Sequence, residues 1–398
     1  MEEFKKIISH FSRGNKFKYP FVASSPKRPY RTCLKDLLDE YLRKIETLKS
    51  SGETTNWLKN NKEQISTINN LLISALDEYL SGSAGKAYGK IEELMRSEFL
   101  QDNIIHLKVP LNTYYAEQNN SRSLYRVRYN DNHLSERSDI FHIPFEKRYL
   151  VRTQRYSIAG IPCLYLGTSL YVCWQEMGKP DFSKLYLSYF KINKENHYGE
   201  IYVLNLAYSF ETLRPENLEY FFTQELSGHD RNKAKAFLAF WPILAACSFN
   251  AEVQNAHFTV EYVIPNLILQ WISKEKRPVS GVMYLSTKTA QLRNSDKGIN
   301  FVFPPDIKNV DEGFCEKLKN VFSWSNPISW QLLDTIQYGQ NSDFNKMPFS
   351  GNLEHGLIRN YKATKFYEME QKLLDLADLG NLENPASESK KRRKARRR

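Results

Sequence analysis

Apolar positions recur at helical spacing along the first hundred residues. Three segments place apolar residues three or four positions apart with charges between them: LKDLLDEYLRKIETL (34–48), TINNLLISALDEYL (67–80) and residues 87–100. This spacing collects the apolar side chains on one face of a helix. The sequence therefore predicts three helices, which form a small helical region between residues 30 and 100.

The centre of the chain changes to short β-rich runs. Strands are predicted for SLYRVRYN, PCLYLGTS, KLYLSYFKI, GEIYVLNLAY, VSGVMYLS and INFVFP. Buried helices are predicted for NKAKAFLAFWPILAACSF and for VEYVIPNLILQWISK, in which Pro265 lies near the first turn, where proline is tolerated. Strands and helices without regular βαβ alternation predict an α+β fold, a compact mixed sheet with flanking helices after the helical N-terminal region.

These patterns divide the chain into three consecutive regions. We expect an N-terminal helical region at 1–110, a central catalytic domain at 111–340, and a C-terminal region at 341–398 with one helix near 365–376. The last region loosens into polar residues and ends in a tail that we expect to be disordered. A polar segment such as NPASES cannot bury enough apolar surface to fold against a core.

Composition indicates a globular protein of the cytoplasm. The 398 residues are 41% hydrophobic and 25% charged, and no apolar run approaches the roughly 18–20 residues of a membrane span. The N-terminus has acidic residues and no continuous apolar segment, so no secretory signal is predicted. Five cysteines are scattered without a CxxC pair, which favours reduced thiols over disulfides or a zinc site.

The positive charge is concentrated at the C-terminus. The segment KKRRKARRR runs from Lys390 to Arg398, and removing its eight cations from the net charge of +11 leaves +3 for the rest. Such a tail attracts any polyanion without sequence preference. It predicts weak nucleic-acid binding by the tail, and a non-enzymatic nucleic-acid-binding protein is one alternative function.

Several common catalytic motifs are absent from the sequence. The segment SGSAGKA (81–87) lacks the first glycine and the Ser or Thr of a phosphate-binding loop, so it predicts a turn. HExxH, GxSxG and GxGxxG do not occur, and no metal site is expected. His142 and His257 are isolated beside aromatic residues, which favours packed rather than catalytic histidines.

The segment RYSIAGIPCLYLGTSLYVCWQE (155–176) carries the strongest chemical signal. It begins with Arg155 and ends with Glu176, and no charged residue lies between them. A strand holding Tyr165 and a turn at Gly167 leading into a helix would let both charges face one cleft. The alternative is a buried ion pair that fastens the strand to the helix, because a lone buried carboxylate is costly.

This segment resembles the RES domain, a family named for its Arg, Glu and Ser. The resemblance extends over about residues 114–305 and includes LYRVR (124–128), FHIPFEKR, the segment 155–176, and YVIPNLILQWI followed by VSGVMYLS. Bacterial RES proteins are typically toxins of toxin–antitoxin pairs that degrade NAD+ and share a fold with ADP-ribosyltransferases. The resemblance implies such a fold, NAD+ as substrate rather than cofactor, and an antitoxin protein as partner.

The family residues carry over position by position. Arg126 matches the first family arginine, Arg155 the second, Tyr165 the tyrosine, Glu176 the glutamate and Ser286 the serine. Arg128 competes with Arg126, and Ser157 and Ser280 compete with Ser286. The resemblance implies that Glu176 stabilises the ribose cation, that Arg126 and Arg155 bind the pyrophosphate, that Tyr165 stacks on a ring, and that Ser286 donates to a phosphate or ribose oxygen.

The expected function is cleavage of the nicotinamide–ribose bond of NAD+. Water as acceptor would make the protein a glycohydrolase, and phosphate would make it a phosphorylase. A macromolecular acceptor would make it an ADP-ribosyltransferase with the same NAD+ site. The sequence leaves the choice among these acceptors open.

Overall fold

The structure is a computed structural model that describes residues 2–22, 28–111, 123–193, 200–213, 228–251, 253, 256–275, 279–288, 296–306, 311–336 and 361–376. The chain forms two compact units, each built from separate stretches. Unit 1 comprises Met1–Val109, Arg152–Ala159 and Val203–Asn294, and unit 2 comprises Pro110–Val151, Gly160–Tyr202 and Ser295–Arg398. The three regions expected at 1–110, 111–340 and 341–398 stay predictions. The basic tail lies outside the described residues.

The helices and strands follow one another without regular alternation. The first half of the chain contains α1 (Glu2–Ser12), α2 (Tyr30–Glu46), α3 (Glu53–Asn60), α4 (Lys62–Leu80), α5 (Ala84–Arg96), α6 (Glu98–Leu107), β1 (Lys108–Pro110), β2 (Leu124–Tyr129), α7 (Arg137–Ile140), β3 (Leu164–Gly167), α8 (Leu170–Glu176) and β4 (Leu185–Ile192). The second half contains β5 (Tyr202–Leu206), α9 (Gly228–Ala246), α10 (Val263–Glu275), β6 (Val282–Leu285), β7 (Ile299–Phe303), α11 (Glu316–Val321), β8 (Phe322–Trp324), β9 (Ile328–Ser329), α12 (Trp330–Thr335) and α13 (Lys365–Leu376).

Unit 1 packs its helices around a buried aromatic cluster. The ring of Tyr41 on α2 stacks on Trp241 of α9 at 4.2 Å between centroids, and Phe11 of α1 stacks on Phe210 at 4.6 Å. These large side chains are almost completely buried, and burial of aromatic surface is a main source of stability. The unit also contains β5 paired in parallel with β6, with β1 on the other side of β5.

The predicted N-terminal helices are confirmed, with one correction. The patterns at 34–48 and 67–80 correspond to α2 and α4. The single helix predicted over 87–100 is wrong, because α5 ends at Arg96 and α6 begins at Glu98. Ser97 lies between them, and its hydroxyl accepts a hydrogen bond from the backbone N–H of Leu100 at 3.4 Å. This is an N-cap, which starts a new helix although the apolar spacing continues.

Unit 2 is built on antiparallel strands. They lie in the order β7, β3, β2, β4, β8, and β9 also pairs with β4. The register places Tyr125, Gly167 and Asn300 in one row across β2, β3 and β7. Helix α8 packs on β2, β3 and β7. These strands bring distant parts of the chain beside α8.

The predicted α+β class is confirmed. Helices α1 to α6 occupy the N-terminal part, and the strands predicted for the centre all form. Pro265 lies in the first turn of α10, as the sequence predicted. None of the helices that the structure describes combines the length and the apolar character needed to cross a membrane.

Candidate functional site

The segment around Glu176 folds as a strand, a turn and a helix. β3 ends at Gly167, and Ser169 precedes α8. The hydroxyl of Ser169 accepts from the backbone N–H of Val172 at 3.0 Å and donates to the carbonyl of Lys297 at 2.6 Å. Ser169 therefore both begins the helix and ties it to the chain before β7. This geometry confirms the predicted order of strand, turn and helix, with the bend at Thr168 and Ser169, directly after Gly167.

Glu176 is the last residue of α8 and is held by a neighbour from β7. The amide Nδ2 of Asn300 donates to Oε1 of Glu176 at 2.8 Å. Glu176 is half-buried, whereas Asn300 is buried with 5% of its surface exposed. The carboxylate is therefore oriented by a neutral donor from the strand beneath the helix. Asn300 was not predicted as a site residue, although a polar residue inside the apolar run INFVF is a detectable signal.

Gly167 lets α8 approach the sheet closely. A Cβ atom on Gly167 would lie 2.6 Å from Sγ of Cys173 and 2.6 Å from Cγ1 of Val172, both on α8. Contacts this short force side chains or backbone to move. The absence of a side chain at this position therefore sets the distance between β3 and the helix that carries Glu176.

We expect Gly167→Ala to destabilise the protein by about 1–3 kcal/mol, the usual cost of overpacking a core. The matched control is Gly89→Ala on α5, where an added Cβ meets no atom within 4 Å. There alanine should stabilise the helix by up to about 1 kcal/mol. Urea denaturation of both variants measures the difference, and equal stabilities for the two would contradict this account of Gly167.

Arg126 lies where the pairing between β2 and β3 ends. The two strands share the register pair Tyr125 and Gly167, and beyond it Nη1 of Arg126 donates to the carbonyl of Tyr165 at 2.8 Å. Nε of Arg126 is buried and has no hydrogen-bond partner among the described residues. Burial, and to a lesser extent the nearby positive charge of Arg128, lower the pKa of Arg126 to about 9. Arg126 is half-buried, and a guanidinium with a buried, unsatisfied donor is suited to an anionic ligand.

Arg128, the competing arginine, is engaged by backbone. Its guanidinium donates to the carbonyl of Asp139 and, at 3.2 Å, to the carbonyl of Phe141. Burial lowers the pKa of Arg128. These bonds fasten residues 139–141 to β2. Arg128 therefore has a visible structural role, and Arg126 is the better candidate for ligand binding.

Arg155 is bound by three acceptors in unit 1. Its guanidinium donates to the carbonyls of Cys247 and Phe249, both at 2.5 Å, and to Oγ1 of Thr287 at 3.0 Å. It also lies 5.1 Å from the centre of the Tyr262 ring, and 8% of its surface is exposed. Arg155 thus links the chain after α9 to the chain after β6.

Ser286 directly follows β6, next to the Thr287 that binds Arg155. Ser286 is 2% exposed, and its hydroxyl accepts from the backbone N–H of Lys288 at 3.2 Å. The competing Ser157 bonds within a local turn, because its hydroxyl accepts from the N–H of Gln154 and donates to its carbonyl. Ser280 is half-buried at the other end of β6. Ser286 is therefore the sequence neighbour of a residue that binds Arg155, and Ser157 lies in the turn that contains Arg155, so both serines stay candidates.

The five predicted site residues form two groups. Arg126, Tyr165 and Glu176 belong to unit 2, while Arg155 and Ser286 belong to unit 1. Within unit 2, the carbonyl of half-buried Tyr165 binds Arg126, and Asn300 binds Glu176. Arg155 and Glu176 belong to different units, so the predicted alternative of an ion pair between them stays a hypothesis.

The two histidines differ from each other. His142 is fully buried, and its Nε2 accepts from the backbone N–H of Cys315 at 2.9 Å. The prediction that His142 is packed is confirmed by its burial, which also lowers the pKa of His142 to about 4. The prediction that His257 is packed is wrong, because this residue is exposed. In the part of the chain that the structure describes, no group of three or more His, Cys, Asp or Glu could hold a metal ion, and all five cysteines are free thiols.

Comparison with known proteins places the chain among relatives. It is 30% identical over 315 residues to a Bacillus subtilis (strain 168) protein named "Putative toxin YopC", a match that covers 76% of this chain and 67% of the relative. The chain belongs to the YopC family. No family model matches the chain, and no solved structure matches it. The likeness of this YopC-family chain to the RES domain therefore rests on the quoted residues.

Proposed function

We propose that this YopC-family chain is a toxin that cleaves the nicotinamide–ribose bond of NAD+. The observation that carries the proposal is Arg126, a half-buried arginine whose buried Nε lacks a hydrogen-bond acceptor among the described residues. Such a group suits a doubly anionic pyrophosphate, whose charge would offset the burial that lowers the pKa of Arg126. The printed name of the Bacillus subtilis relative supports the toxin role.

The proposed chemistry needs one well-oriented carboxylate. Cleavage passes through a state with positive charge on the ribose, as at other glycosidic centres. Nicotinamide leaves with the electron pair of the C–N bond and becomes neutral. Glu176 faces the developing charge or binds the ribose 2′-hydroxyl, and Asn300 keeps its carboxylate in place. Tyr165 stacks on a ring of the substrate, and the roles of Arg155 and Ser286 on phosphate and ribose stay predictions from the resemblance.

The acceptor completes the reaction in one of two ways. If water attacks the ribose carbon, its oxygen forms the new bond, one proton is released, and the products are nicotinamide and ADP-ribose. If phosphate attacks, the products are nicotinamide and a phosphorylated ADP-ribose. A toxin that consumes NAD+ must be restrained in the cell that makes it, so a protein antitoxin is part of this proposal.

The decisive experiment incubates the purified full-length protein with NAD+, with and without phosphate. Chromatography should show loss of NAD+ and equimolar nicotinamide, and the second product identifies the acceptor. Label from adenine-labelled NAD+ that becomes bound to a protein or nucleic acid would instead indicate an ADP-ribosyltransferase. Absence of nicotinamide release with every acceptor would overturn the proposal.

We expect Arg126→Ala to weaken binding of a non-hydrolysable NAD+ analogue about 10- to 100-fold, because a hydrogen bond to a charged group is worth about 1.5–3 kcal/mol. Arg126→Lys should recover only part of the affinity, since lysine has a point charge but no planar fork. Calorimetric titration measures both. In the control, Arg128→Lys should lower thermal stability and leave affinity within about twofold. Wild-type affinity in both Arg126 variants would place the pyrophosphate elsewhere.

A further inference from the structure

Helix α13 places a buried carboxylate at the start of the helix that ends in Glu176. Glu370 is 1% exposed, and its Oε1 accepts from the backbone N–H of Leu170 at 2.8 Å. The hydroxyl of Tyr361 donates to the same oxygen at 2.5 Å. All of these residues belong to unit 2. The bond to Leu170 joins positions 200 residues apart in sequence.

The hydrogen bond from Leu170 to Glu370 gives a partner to a backbone N–H at the start of α8. The first N–H groups of a helix lack partners within the helix itself. In α8 the hydroxyl of Ser169 accepts from Val172, and Glu370 accepts from Leu170. A carboxylate is also favoured near a helix N-terminus, because the backbone dipoles leave partial positive charge there. Glu370 is therefore a specific partner for the first residue of α8.

Aromatic packing holds the two helices in one arrangement. The ring of Phe366 on α13 lies 5.3 Å from that of Tyr171 and 5.4 Å from that of Trp174, both on α8. Tyr361 remains a donor to Glu370, since burial and then the charge of Glu370 raise the pKa of its phenol well above its ordinary value. Helix α13 thus packs against α8 through aromatic side chains.

The short length of α8 connects this contact to Glu176. The helix has 7 residues, from Leu170 to Glu176. At about 1.5 Å per residue, its two ends lie only about 9 Å apart, so a shift at Leu170 moves Glu176 as well. The hydrogen bond from Asn300 to Glu176, at 2.8 Å, forms only if Glu176 keeps its position at the end of α8.

We propose that Glu370 is a positioning residue, which fixes the first turn of α8 through the Leu170 N–H and thereby sets the place of the Glu176 carboxylate. The effect of this residue on turnover rests on the proposed function above. Glu370 touches no substrate in this scheme. It acts through the backbone of α8.

The test compares Glu370→Ala with Glu370→Gln in the full chain. Gln can accept both hydrogen bonds through its amide oxygen, whereas Ala removes both. We expect Glu370→Ala to lower kcat about 10- to 100-fold with KM within about twofold, because a displacement of about 1 Å can cost roughly 100-fold. Glu370→Gln should keep kcat within about threefold of wild type. Asp375→Asn, an exposed carboxylate on the same helix, is the matched control and should match wild type.

A second readout is independent of activity. Hydrogen exchange at the Leu170 amide should accelerate at least about tenfold in Glu370→Ala and stay near the wild-type rate in Glu370→Gln. If wild-type protein fails to cleave NAD+, the proposed function fails, and this exchange measurement still decides the role of Glu370. A folded Glu370→Ala variant with wild-type kcat and wild-type exchange at Leu170 would overturn the inference. Equal loss of kcat in the Gln and Ala variants would overturn it too.

Discussion

Glu176→Gln should lower NAD+ turnover by about 100- to 1000-fold, the usual cost of losing one electrostatic contact to a transition state. The substitution removes the negative charge that faces the ribose cation. It keeps the size of the side chain and an oxygen that can accept from Nδ2 of Asn300, which now lies 2.8 Å from the carboxylate. The fold should therefore survive, because α8 keeps its packing and its contact with β7.

Single-turnover measurements of nicotinamide release test this expectation, with circular dichroism to verify folding. Glu312→Gln is the matched control, since Glu312 is an exposed carboxylate of the same unit. Its turnover should equal that of wild type. NAD+ cleavage at the wild-type rate by a folded Glu176→Gln variant would remove Glu176 from the mechanism.

Arg155→Ala should produce the largest loss of stability among single substitutions at the predicted site. The guanidinium donates to the carbonyls of Cys247 and Phe249 and to Thr287. Alanine leaves these buried acceptors without a partner, and each hydrogen bond to a charged group is worth about 1.5–3 kcal/mol. Because such terms are not additive, we expect a total of about 3–5 kcal/mol. Lysine has a single ammonium group in place of the planar fork of arginine and cannot reach all of these acceptors. Arg155→Lys should therefore recover only a small part of the lost stability.

Chemical denaturation of the Arg155 variants measures this loss. Arg152→Ala is the matched control, because Arg152 is exposed and lies in the same segment of unit 1. Its stability should stay within about 0.5 kcal/mol of wild type. An Arg155→Ala protein as stable as wild type would show that these three bonds contribute nothing, and would return Arg155 to a role in substrate binding alone. Affinity for NAD+ must therefore be measured under conditions in which each variant is still folded.

Local patterns in the sequence determined most of the secondary structure. The apolar spacing predicted α2 and α4, and the alternation of apolar and polar residues predicted β2 and β4. The strand, turn and helix from Leu164 to Glu176 were also predictable, because apolar patterning and Gly167 act over a few residues. The incorrect prediction of one helix over 87–100 also has a local cause. The N-cap hydroxyl of Ser97 starts a new helix although the apolar spacing continues.

The partners of the site residues were decided by tertiary structure alone. Asn300 binds Glu176 across 124 positions, and Glu370 binds Leu170 across 200. Arg155 and Thr287 meet across 132 positions, in a different unit from Glu176. Apolar patterning and turn residues specify which segments are strands and helices, but strand order and register depend on the free energy of packing the whole chain. The residue types of the site were therefore visible in the sequence, whereas the contacts that hold Glu176, Arg126 and Arg155 in place follow from packing between distant segments.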